Sequence, residues 1–162
     1  MKKILLILMA MFAFGIQNVS AQDGIKIVTN HPDFKVKVKR CVASGKTVII
    51  DLTLNNVGAI DVENLNVWGG DRGTEVYDDE GNIYQGRCIK VKVANKPEYT
   101  SGYYEFNIPA GVPIRLSVSI DGVPQAAESI ARLKMCLYCK AWSVGCDFDK
   151  PLRISNIPIS RE

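Results

Sequence analysis

Phe34-Lys35-Val36-Lys37-Val38-Lys39-Arg40 and, after a turn at Ala43-Ser44-Gly45-Lys46, Thr47-Val48-Ile49-Ile50-Asp51-Leu52-Thr53-Leu54 decide the fold. In the first run Phe34, Val36 and Val38 point one way and Lys35, Lys37 and Lys39 the other, the period of two that marks a half-buried strand. The second run is rich in β-branched residues and ends at Asn55-Asn56-Val57-Gly58, a stop signal for a strand. Downstream the same grammar repeats. Val62–Trp68 reads as a strand and Gly69-Gly70-Asp71-Arg72-Gly73 as a loop. Glu75–Tyr77 and Ile83–Tyr84 flank Asp78-Asp79-Glu80-Gly81-Asn82, a hairpin signal with glycine where a positive φ is expected. Cys88–Val93, Tyr103–Ile108, Val112–Ile120, Ile130–Cys139 and Leu152–Ile159 follow as strands, and Gln125–Ser129 as a short helical link. Short strands, frequent turns and no long helical period predict an all-β domain, an antiparallel sandwich of about eight strands, with a barrel as the alternative.

Upstream of this pattern, Lys2 and Lys3 precede an apolar run from Ile4 to Ile16, and Val19-Ser20-Ala21 supplies a small-residue cleavage pattern. The run is shorter than the ~20 residues that span a bilayer. Residues 1–21 are therefore expected to be a cleaved signal peptide, 22–33 a leader, and 34–162 the domain. Export puts the protein in the periplasm or outside the cell, with no membrane span once the signal is removed. The chain has 20 Lys+Arg and 17 Asp+Glu. Lys2 and Lys3 fall in the signal, which has no acid, so the remainder is nearly neutral. That is not the basic balance of a nucleic-acid partner.

An exported chain meets an oxidising compartment, so its five cysteines are expected to form disulfides, with an odd thiol left over. Cys41 and Cys88 fall on the lysine-bearing sides of their strands and pair if those strands are neighbours. Cys139 and Cys146 flank a loop and are candidates to bridge it, which leaves Cys136 as the spare thiol. Cys136-Leu137-Tyr138-Cys139 has redox spacing, but the strand-then-helix context that activates such a pair is missing. On a strand Cys136 faces outward and Cys139 inward. Zinc held by Cys136, Cys139 and Cys146 lacks a second Cys-x-x-Cys, so no metal or other cofactor is expected.

No catalytic residue stands out either. His31, the one imidazole, lies in the leader, and a Ser-His-Asp site needs an oriented base. Asp51, Glu63, Asp71 and Glu105 are carboxylates with nothing to pair them as a glycosidase requires. Asp78–Asn82 lacks the ligand spacing of a calcium loop. Aromatic residues carry the best sign of binding, because Trp and Tyr combine large apolar area with a polar tip. Trp68, Tyr138 and Trp142 are the binding candidates, with a protein or glycan as the unidentified partner. Lys35, Lys37, Lys39 and Arg40 with Lys90 and Lys92 are grouped as a basic stripe, read first as a solvated sheet face and second as an anionic-glycan or membrane-surface site.

Five segments taken in order carry a resemblance: Thr47–Asn56, Tyr77–Tyr84, Ile108–Pro113 with its following strand, Gly122-Val123-Pro124, and Ile154–Ile159. They resemble a family of secreted bacterial immunoglobulin-like domains, which includes domains described as immunoprotective extracellular proteins and many lipoproteins of unknown function. The resemblance implies an antiparallel Ig-like β-sandwich that adheres, binds a ligand or serves the envelope, with no catalytic residues to carry over. The Cys136, Cys139 and Cys146 cluster departs from that pattern. It leaves an alternative from another class, a thiol-active or zinc-binding protein.

Overall fold

The computed structural model describes residues 24–139 and 151–161. Residues 1–21, expected to be a signal peptide, and Trp142 and Cys146 lie outside them. Thirteen strands run in chain order: β1 Lys26–Val28, β2 Phe34–Ser44, β3 Thr47–Asn56, β4 Val62–Trp68, β5 Glu75–Asp78, β6 Ile83–Tyr84 and β7 Ile89–Val93. Then come β8 Tyr103–Ile108, β9 Pro113–Asp121, β10 Ser129–Met135, β11 Leu137–Cys139, β12 Leu152–Pro158 and β13 Ser160–Arg161. The one helical element described is a single 3-10 turn, Gly86–Cys88. Gln125–Ser129 holds no helix; it is a turn leading into β10. The count exceeds the expected eight because short edge pieces join the sheets and because the segment Ile130–Cys139 is broken in two.

One layer has the order β13-β2-β3-β9-β7 and is antiparallel apart from the parallel pairing of β13 with β2. The other is built from β1-β12-β10-β5-β6 and from β11-β4-β8. These last two sheets meet at a seam, because β10 pairs with β5 and its continuation β11 pairs with β4. The chain is thus an all-β sandwich. Its core is a single cluster fed from both layers, with Ile50, Leu52, Leu116 and Ile120 from one side and Leu65, Leu133, Met135 and Ile154 from the other, all fully buried. The alternation of β3 is clean: every second residue from Val48 to Asn56 is buried.

Two irregularities relocate cysteines. The β2–β3 register shifts between Val38 and Arg40, a bulge that adds one residue and reverses which parity faces inward. Cys41 therefore points into the core instead of sharing the lysine face. Cys88 sits exposed in the 3-10 turn. The strands that carry or follow these residues, β2 and β7, are separated by β3 and β9, about 14 Å at the usual strand spacing. A disulfide needs Cα atoms within about 7 Å. The expected Cys41–Cys88 bridge is absent, and both thiols are free. The Cys139–Cys146 pairing falls partly outside the described residues. Among the described cysteines no two are bonded to each other.

Candidate functional site

The seam is where the sequence candidates meet. β4 ends at Trp68, and the chain then makes a tight loop, Gly69–Thr74, before resuming as β5. The buried Thr74 closes that loop by donating its hydroxyl to the Trp68 carbonyl at 2.6 Å. Opposite, Cys136 is the single residue between β10 and β11. Its N–H donates to the Gly73 carbonyl at 3.1 Å, and its carbonyl accepts from the Trp68 N–H at 3.2 Å. One residue thus hands the ladder from β5 to β4. The approach is close: a Cβ on Gly73 would lie 2.6 Å from the Cys136 Cβ. Strand parity therefore stops at Cys136, and both Cys136 and Cys139 are buried, correcting the expectation that Cys136 faces outward. Cys139 packs in the core cluster, while Cys136 lies against the loop outside it.

Pairing places Trp68 opposite Tyr103, and Asn66 opposite both Tyr138 and Glu105, so these side chains share the outer face of β11-β4-β8. The Trp68 and Tyr103 rings are 4.9 Å apart and tilted by 48°. Tyr103 is 53% exposed, a large aromatic surface for a sheet face. Tyr138 and Trp68 are half-buried. Asn66 is buried on this face; its amide nitrogen donates to the Asn64 carbonyl, while its Oδ1 has no hydrogen-bond partner among the described residues. Of the neighbouring tyrosines at 103 and 104, only Tyr103 reaches this face, opposite Trp68. Tyr104 turns inward and packs on Tyr99, whose hydroxyl is fixed to the Val67 carbonyl at 2.7 Å.

Beside this face, across the Gly69–Thr74 loop, lies a cleft of about 570 Å³ lined by Gly70, Arg72, Glu75, Gln85, Lys134 and Cys136. Lys134 pairs with Glu75 at 3.3 Å, and Tyr77 donates its hydroxyl to the same carboxylate. Arg72 is exposed at the rim. The Cys136 thiol is pushed up to about 11 by burial, against the opposing pull of Lys134. At neutral pH it is a protonated thiol in the wall of the cleft, not a nucleophile. Cys41 is raised further, to about 12, by burial alone. In native protein at pH 8, iodoacetamide is therefore expected to modify the exposed Cys88 before the other described cysteines, with Cys136 at least about tenfold slower. A peptide map after timed quenching reads both rates. Among the described residues no group of His, Cys, Asp and Glu is placed to hold a metal ion.

No protein-family model matches the chain, and no curated protein matches it in sequence. Among solved structures, the fold is similar to that of AvmM, whose structure is described as catalysing macrocyclization in alchivemycin A biosynthesis. That match has 10% identity over 80% of this chain and 90% of that one, with a TM-score of 0.43. A second similarity is to a family 123 glycoside hydrolase from Clostridium perfringens, at 12% identity and a TM-score of 0.41. It covers 86% of this chain and 26% of the hydrolase, so the chain spans about a quarter of that enzyme's length.

Proposed function

We propose that the protein is an exported, non-catalytic binding domain of Ig-like sandwich type, acting in the periplasm or outside the cell. Its partner is a protein or a glycan, held on the outer face of β11-β4-β8. The observation that carries this reading is the Trp68–Tyr103 ring pair, Tyr103 exposed and Trp68 half-buried, on a face that also carries Asn66, Glu105 and Tyr138. An aromatic platform among polar side chains suits a ligand that has both apolar faces and hydrogen-bonding groups. The alternative, a thiol-active or zinc protein built on Cys136, Cys139 and Cys146, starts from a Cys136 thiol that burial keeps protonated.

The test is a paired binding screen of wild type and Trp68→Ala/Tyr103→Ala against arrayed glycans and surface-protein extracts. Binding partners of the wild type are expected to lose at least about tenfold in affinity to the double variant, the usual scale for truncating aromatic anchors. Equal binding by both proteins would move the site elsewhere.

A further inference from the structure

The outer face of the β13-β2-β3-β9-β7 layer carries a charge pattern that the aromatic face does not use. Register determines which side chains share it. Lys37 lies opposite Thr53, which lies opposite Arg115. The next row runs Arg40, Asp51, Ser117, Lys92. Lys35 continues the pattern at one end, and Lys90, opposite Ser119, at the other. The acids in these rows are Asp51 and Asp121, and both are engaged. Asp51 accepts from Arg40 and Ser117. Asp121 accepts from Lys90 and from Thr47, both at 3.0 Å. Glu98 stands near Lys90 at the margin. Lys35, Lys37, Arg115 and Lys92 make no ion pair among the described residues.

We infer that this face is a docking surface for an extended polyanion, an anionic polysaccharide chain bearing carboxylate or sulfate groups, held by Lys35, Lys37, Arg115 and Lys92. At strand spacings, Lys35 to Lys37 is about 7 Å, Lys37 to Arg115 about 10 Å and Arg115 to Lys92 about 8 Å, a track of roughly 25 Å. Each step is within the ~10 Å over which charges act at ordinary salt; Asp51, bonded to Arg40 and Ser117 and near Arg115, offsets only part of this, so the four cations leave a net positive track for an anion. The Thr53 hydroxyl lies between Lys37 and Arg115 as a donor for ring and acid oxygens, while that of Ser117 is engaged by Asp51. The rows contain no exposed large apolar residue to enter a bilayer; those are Val28, Val57, Ile60, Ile83, Tyr103 and Val112, all outside them. A flat, charged, hydroxyl-lined track favours a soluble chain over a membrane.

The probes are heparin and polygalacturonate, with anionic phospholipid vesicles alongside. The test variant is Lys37→Glu/Lys92→Glu/Arg115→Glu. The control, Lys26→Glu/Arg132→Glu/Arg153→Glu, makes the same charge change with exposed cations of the opposite layer. Circular dichroism confirms that both fold. Wild type is expected to bind at least one polysaccharide probe, more weakly as salt rises, and the test variant to lose about thirtyfold or more in affinity, from roughly the worth of a surface cation per site. The control is expected to stay within about threefold of wild type, on the same scale. Equal losses in both variants would show a net-charge effect and overturn the proposal. So would no loss in the test variant, no binding of either polysaccharide, or tight binding to vesicles alone. Lost heparin binding with intact aromatic-face binding separates this proposal from the preceding one.

Discussion

Replacing Gly70 with alanine is expected to cost about 3 kcal/mol of stability, the upper part of the range for overpacking a tight contact. A Cβ at this position would lie 2.3 Å from the Gly86 carbonyl oxygen and 2.8 Å from the Ile89 Cβ. Neither neighbour is free to retreat. Gly86 donates its N–H to the Gly70 carbonyl at 2.6 Å, and Ile89 is fully buried in the core. The loop would have to move as a body. That motion would carry Arg72 and Gln85 with it and reshape the cleft. Urea unfolding is the check: the midpoint should fall with little change in slope. A midpoint within error of wild type would mean that the seam loop is not clamped between β4, β5 and the 3-10 turn.

The second large effect lies in the β5–β6 hairpin. Asp78 is buried and its carboxylate accepts three hydrogen bonds, from the Asn82 N–H at 2.8 Å, the Asn82 side chain at 2.9 Å and the Tyr84 hydroxyl at 2.7 Å. Burial by itself raises this carboxyl, but the bonds from Asn82 and Tyr84 outweigh it and hold it below the usual carboxylate range. Asp78→Ala leaves the buried Tyr84 hydroxyl without its acceptor and is expected to cost about 3 kcal/mol. The pH dependence follows from the same bonds. A carboxyl lowered in the folded state contributes its full stability above its unfolded value, near pH 4, and loses it as pH falls through the folded value. Asp121, lowered by its bonds from Lys90 and Thr47, acts in the same direction. Wild-type stability should therefore decline below about pH 4. Asp78→Asn should decline less steeply there, because one of the linked protons is gone. Parallel acid curves for the two proteins would show that Asp78 is not a linked carboxylate.

The strands were legible because their signal is local. Phe34–Val38, Thr47–Leu54 and Ile89–Val93 show their inward residues by alternation alone, and Asp78–Asn82 announces its hairpin through Gly81, which has φ +87°. What was not legible depends on distant partners. The bulge that turns Cys41 inward has no glycine to mark it; it arises from how β2 pairs with β3. The break at Cys136 has no breaker residue of its own. It is imposed by Gly73, 63 positions earlier in the chain, whose missing side chain lets the two strands cross between sheets. The same holds for the binding surfaces. Trp68 and Tyr138 were visible as aromatic residues, but Tyr103 joins them only through the β4–β8 register. Lys37 and Lys92, grouped in the sequence as one basic stripe, share a face across β3 and β9, but Arg115 enters it only through the β3–β9 register.

The central claim, that this sandwich binds a partner through the Trp68–Tyr103 face, is tested most directly by an array of neutral and acidic glycans and surface proteins. Wild type, Trp68→Ala/Tyr103→Ala and the Lys37→Glu/Lys92→Glu/Arg115→Glu variant would be applied in parallel. The account predicts at least one partner that the wild type and the basic-face variant retain and the aromatic double variant loses. A wild type with no partner, or partners that the aromatic double variant keeps in full, would contradict it.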